Sequence, residues 1–153
     1  RRVLGDEHPS TLNSINNMGS LLNVQGKYEE AMPYYVELLE TNSNNAEFLN
    51  NFAWNAATSE DYSFFATVSD DVLVASQRAC ELTDYENASY LDTLARVHFE
   101  RGELAEAIKW QELAMQHIPE GDDEVIYQES LDRYREAAQP DVSGTPAIKP
   151  PQE

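Results

Sequence analysis

The sequence predicts an all-α protein, a solenoid of three antiparallel helix pairs closed by a C-terminal capping helix. Three observations lead there. Apolar residues recur at helical spacing along most of the chain, and no stretch shows the alternation of a half-buried strand. Glycine, proline and short polar runs interrupt that periodicity at lengths suited to single helices. The pattern of large and small residues in the stretch Leu12–Asn45 then returns twice further along.

Residues 1–8 read as the end of a preceding element with a turn at Gly5. Pro9 suits a helix start, because its missing N–H has no partner in a first turn anyway. Leu12, Ile15, Met18, Leu21 and Leu22 carry that helix to Gln25-Gly26, where glycine permits the left-handed backbone of a C-terminal cap. Tyr28, Ala31, Met32, Tyr35 and Leu38 or Leu39 mark its partner, and Thr41 to Asn45 is a polar turn. Leu49, Phe52, Ala53 and Ala56 form the stripe of a third helix from Ala46 to Ala57. From Thr58 to Val68 the pattern breaks. Ser69-Asp70-Asp71 offers capping side chains, which predicts a fourth helix over Val72–Leu82. Helices over Ala88–Glu100, ended by Gly102, and Leu104–His117, ended by Pro119 and Gly121, make the third pair. Glu124–Ala138 is the last helix, and its polar face suits the end of a stack. The proline-rich residues 139–153 carry no apolar face and are expected to be disordered.

The repeat is set by packing. Gly19 and Ala31 stand twelve residues apart, as do Ala95 and Ala107. Small residues there allow two helices to approach closely, while large neighbours fill the space to the next pair. Gly19 and Ala53 are separated by 34 residues, but Ala53 and Val72 by 19 instead of 12. Seven residues are therefore inserted within the second pair, and a loop near 58–68 is expected. The repeats run at about 12–45, 46–86 and 88–121, with the capping helix at 122–138 and one domain over 1–138. Tyr62, Phe64 and Phe65 are too apolar for a solvated linker. They either pack back on the second pair or offer a contact on its rim.

This large-x2-large-small pattern, followed by Ala and then Pro, resembles the tetratricopeptide repeat (TPR), which implies an α-α superhelix. The lead-in at Leu4–Thr11, the Asn16-Asn17-x-Gly19 helix and the turn Gln25–Ala31 resemble the kinesin-light-chain type of that repeat. The remainder, through residues 53–61 and 78–115, is similar to TPR arrays of multidomain bacterial proteins. In such arrays the first helix of each pair lines a concave groove that holds a peptide or protein segment. The resemblance places Asn13, Asn16, Asn17, Ser20 and Asn23 there, then Glu47, Asn50, Asn51 and Trp54, then Asp92, Arg96 and Phe99. Asparagine is a poor helix former, so its concentration in the first helix needs a reason. An amide can donate to and accept from a peptide backbone; the competing explanation is hydrogen bonding between neighbouring helices. Trp54 and Phe99 are aromatic anchors or contacts to an adjacent helix. Arg96 is the sole basic residue in the set, against a clamp for a carboxylate, which needs several.

With 28 acidic and 10 basic side chains the formal charge is -18. That disfavours nucleic acid and anionic membranes, both of which need clustered Lys and Arg. It suits a basic protein or peptide partner, or simply a solvated acidic surface. The single cysteine, Cys80, allows no internal disulfide, and no apolar run has the length of a membrane span. A reducing, cytoplasmic setting is expected. The chain opens on Arg1-Arg2, so it is expected to be part of something longer. No phosphate-binding glycine loop, zinc spacing or paired-carboxylate motif is present, so no cofactor, metal or enzymatic activity is expected. The function this implies is a non-catalytic interaction scaffold. The alternative is the regulatory C-terminal segment of a larger signalling enzyme such as a bacterial protein kinase.

Overall fold

The structure, a computed structural model, describes residues 9–41, 44–59 and 62–139. Among them seven helices follow in order: α1 (Pro9–Val24), α2 (Tyr28–Thr41), α3 (Ala46–Ala57), α4 (Tyr62–Glu81), α5 (Ala88–Glu100), α6 (Leu104–Gln116) and α7 (Glu124–Ala138). No strand occurs among the described residues. The proline-rich segment 140–153 and the lead-in 1–8 lie outside them.

Local chemistry sets the helix ends, and it repeats. Asn45 begins α3 by accepting from the Phe48 N–H at 3.2 Å, and Asn87 begins α5 by accepting from the Tyr90 N–H at 3.1 Å. Each satisfies a backbone donor that the first turn leaves without a partner. At the far ends of α1 and α5, Gly26 and Gly102 adopt φ of 72° and 77°. The next residue then donates back: Lys27 N–H to Leu22 O and Glu103 N–H to His98 O, both at 2.9 Å. No atom lies within 4 Å of where a Cβ would stand on either glycine, so backbone conformation alone selects them. Gly19 is selected by crowding instead. A Cβ there would meet the Tyr35 ring at 3.0 Å.

The fourth helix corrects the sequence reading. It starts at Tyr62, not at Val72, so most of the segment expected as a loop over 58–68 is two added helical turns. Phe64, Phe65 and Val68 are buried in one core cluster with Phe52, Ala56, Val72 and Ala75. The apolar stripe therefore continues at helical spacing through Ser69-Asp70-Asp71. Asp70 is not a cap; its carboxylate accepts from Arg101 at the end of α5, 2.9 Å away. Of the inserted aromatics, Phe64 and Phe65 pack back, while Tyr62 is 66% exposed at the rim.

The helices form two layers. α1, α3 and α5 lie side by side, and α2, α4 and α6 back them, each packed on its own partner and touching the next pair. Tyr35 of α2 and Phe52 of α3 meet with ring centroids 4.8 Å apart, which joins the first pair to the second. Leu91, Leu94, Cys80 and Ala114 carry the core into the third pair. α7 then packs on α6, with Leu131 and Tyr134 buried and most of its other side chains exposed.

Candidate functional site

The first helices α1, α3 and α5 make one layer of the stack, the layer that the repeat resemblance assigns to a groove. On α3 the exposed stripe is Glu47, Trp54 and Thr58, with Asn51 half-buried between them, at helical spacings of three and four residues. Trp54 is 42% exposed. Asn50 sits at the edge of this stripe, 8% exposed, and its Oδ1 has no hydrogen-bond partner among the described residues. A buried carbonyl oxygen left without a donor costs on the order of 1–3 kcal/mol. α3 therefore presents an open indole beside a desolvated acceptor.

The equivalent positions of α5, 42 residues further on, are engaged within the chain. Asp92 stands where Asn50 does, and its Oδ1 accepts from Gln111 Nε2 at 2.8 Å. The same Gln111 nitrogen donates to the Tyr127 carbonyl of α7 at 3.1 Å, so one fully buried amide ties three helices together. Burial raises the Asp92 carboxyl above its ordinary range, opposed by the Gln111 hydrogen bond and by the Arg96 and Arg133 charges. Arg96 stands where Trp54 does and pairs with Glu100, Nε to Oε1 at 2.8 Å, an ion pair without hydrogen-bond alignment. Phe99 stands where Ala57 does and stacks on Tyr134 of α7 at 4.6 Å, with the Arg133 guanidinium 4.9 Å from its centroid. Phe99 packs against the capping helix.

On α1, Asn17 is exposed and lies beside Met18 and Leu21, both also exposed. Ser20 is half-buried and lies near the Tyr35 hydroxyl. Burial raises the Tyr35 phenol above its usual value, and Asn55 and Ser20 oppose that rise. The side chains of Asn13, Asn16 and Asn23 lie outside the described residues.

A concavity of about 440 Å³ opens on the edge between the α4–α5 and α6–α7 turns, lined by Thr83, Glu86, Asn87, His117, Pro119 and Tyr127 among others. It contains none of the predicted groove residues. Cys80 is fully buried, and burial, assisted by the Glu81 charge, pushes its thiol up to about 12, which disfavours the nucleophilic thiolate. Among the described residues no group of three or more His, Cys, Asp or Glu is placed to hold a metal ion. No described helix is long and apolar enough to cross a membrane.

The tetratricopeptide-repeat family model matches residues 11–42 and 87–116, the first and third helix pairs. Those two stretches are tetratricopeptide repeats. The stretch between the matches contains the pair with the lengthened α4. The matched description is of the repeat in general and does not distinguish the kinesin-light-chain type. Among solved structures, the chain resembles the Yersinia enterocolitica type III secretion chaperone SycD in complex with a peptide of the translocator YopD. The TM-score is 0.67 at 16% identity, over 88% of this chain and 100% of that one. An alternative dimer of the translocator chaperone SycD from the same organism matches with a TM-score of 0.65 at 16% identity, over 86% and 96%. At that identity the likeness shows the TPR fold alone. No curated protein matches the sequence.

Tyr134, Arg133 and Gln111 are the site's neighbours that sequence reasoning missed as such. A glutamine in register with Ala107 and Ala114 on the buried stripe of α6 is the signal that could have found one of them. A buried amide must find partners.

Proposed function

We propose that this protein is an interaction scaffold that holds an extended segment of a partner protein against its concave layer, centred on α3. The carrying observation is Asn50: a nearly buried amide oxygen, without a donor among the described residues, beside the exposed indole of Trp54. A peptide backbone N–H supplies the missing donor, and a side chain of the segment covers Trp54. Asn51 lies half-buried on the same face. The third pair contributes less, because its matching positions already serve α7. The peptide in the SycD complex supports the reading by analogy of fold.

The charge pattern favours a basic segment. Every Lys and Arg among the described residues is engaged inside the chain: Lys27, Arg78, Arg96, Arg101, Lys109 and Arg135 with carboxylates, and Arg133 on aromatic rings. Glu47, one turn before Asn50 on α3, is exposed. A partner recovered by pull-down from the source cell and titrated calorimetrically provides the test. Asn50→Ala is expected to weaken binding about tenfold, in line with a hydrogen bond to a buried group, with little change in thermal midpoint. Loss of stability in step with loss of binding would make Asn50 a structural residue and overturn the reading.

A further inference from the structure

Residues of the α4–α5 and α6–α7 turns line the concavity of about 440 Å³, a volume within the range of small-ligand pockets. Its walls are held by the chain itself. On the first, Asp84 and Tyr85 adopt φ of 51° and 58°, the Tyr85 N–H donates to Cys80 O at 2.8 Å, and the Glu86 N–H donates to Thr83 O at 2.9 Å. The Tyr85 ring stacks on Trp110 of α6, with centroids 5.5 Å apart. On the second, the Asp122 N–H donates to Pro119 O at 3.1 Å, and the Tyr127 carbonyl accepts from the buried Gln111. The concavity therefore needs no partner to shape it.

The chemistry of the lining selects a ligand. Thr83 Oγ1 donates to main-chain carbonyls of α4 and Asn87 Oδ1 accepts from the Tyr90 N–H, so both serve the fold. Glu86 and Asp122 come from the two different turns, and both are exposed. Neither carboxylate has a hydrogen bond or ion pair among the described residues, whose Lys and Arg are all engaged elsewhere. Tyr127 adds a half-buried ring. Burial raises its phenol above the usual value, and the charges of Asp92 and Asp122 add to the rise, so Asp122 acts on this ring. Two carboxylates oppose an anion. A metal ion fits no better, because Glu86, His117 and Asp122 line the concavity without forming a group placed to hold one. What fits is a wider cation on an apolar stem, able to meet carboxylates from two walls and to lie on a tyrosine ring.

We propose that this concavity is a socket for an arginine side chain of a partner protein. The guanidinium offers five donors in one plane, which suits two carboxylates and an aromatic face together. The rim is open, with Glu86, Ser89, Pro119 and Asp122 exposed. A free small ligand is held by burying most of its surface, whereas an open socket suits a side chain anchored outside it. None of its lining residues belongs to α3, so the socket goes beyond the α3 reading and stands without it.

The probe is a capped pentapeptide with one arginine between glycines, titrated into the 153-residue chain and followed by amide resonances in NMR. The expected result is saturable shifts at Ser89, Asp122 and Tyr127 with a Kd of about 1 mM. Citrulline in place of arginine removes the charge and should weaken binding at least about tenfold. Glu86→Gln and Asp122→Asn should each weaken it about threefold, as for an exposed ion pair. Glu136→Gln, further along α7, and Asn50→Ala, on α3, leave it unchanged. The two carboxylate variants alter exposed positions, and circular dichroism checks that the fold is kept. Equal binding of the citrulline peptide, shifts spread over every acidic face without saturation, or wild-type affinity in both carboxylate variants would overturn the proposal. Propylguanidinium binding much more tightly than the peptide would mark a small-molecule site and overturn it as well.

Discussion

The second and third helix pairs were built from one template and put to different uses. Asn45 and Asn87 cap equivalent helices in the same way, and Leu49 and Leu91, Ala53 and Ala95 fill equivalent buried positions. The exposed-side positions diverge. Asn50, Trp54 and Ala57 become Asp92, Arg96 and Phe99, and the later three are taken up by Gln111, Glu100 and Tyr134. The turns diverge too: Gly102 closes α5, whereas α3 ends at Thr58 and Ser59 ahead of a lengthened α4. A repeat next to a cap spends its variable positions on holding the cap. The repeat away from it leaves Trp54 exposed and the Asn50 oxygen without a donor among the described residues.

The largest effect should come from the lengthened α4. Phe65 is 4% exposed in the same cluster as Phe52 and Ala56. Phe65→Ala is expected to cost about 3–5 kcal/mol in urea unfolding, the usual range for a buried aromatic cut to alanine. A cost near zero would mean that the added turns are an appendage and that the second pair is smaller than described. The closing turn of the third pair comes next. Gly102→Ala forces a side chain into a left-handed backbone and is expected to lose about 1–2 kcal/mol, whereas Thr58→Gly, at the matching turn of the second pair, should do little.

How much of this was legible follows the same divide. Periodicity, the two glycine turns and the spacing between small residues disclosed seven helices in the right order, because those signals are local. The start of α4 was misread because Ser69-Asp70-Asp71 imitates a cap, and because a surplus over the template spacing suggested a loop. The stripe Phe64, Phe65, Val68, Val72, Ala75 already had helical spacing. The proposed groove was legible only as a list. That Phe99 serves Tyr134 and that Asp92 is satisfied by Gln111 depend on how α7 docks, a contact between residues far apart in the chain. Asn50 and Asp92 occupy one slot in the template, and only packing shows that one is open and the other filled.

A reciprocal exchange sharpens the comparison with a smaller effect. Burial raises the Asp92 carboxyl, so the folded chain holds that proton more tightly than the unfolded chain does. Stability from this group therefore rises as pH falls from above its raised value to the ordinary aspartate range, and is flat below. Asp92→Asn should remove that slope and raise the thermal midpoint modestly at neutral pH, since asparagine still accepts from Gln111. Asn50→Asp should introduce a slope of the same sign, because the new carboxylate has no donor among the described residues. If both variants leave the pH profile of the thermal midpoint unchanged, neither slot is desolvated as described.

The central claim is that binding is centred on the second pair and not on the third, and Trp54 and Arg96 occupy the same position in the two. The most direct measurement is the affinity of the captured partner for Trp54→Ala beside Arg96→Ala, each checked for an unchanged helical spectrum. The account predicts a loss of about tenfold or more for Trp54→Ala, as for an interface anchor, and a change within about threefold for Arg96→Ala, whose charge is already paired with Glu100. The reverse order, or equal losses, would contradict it.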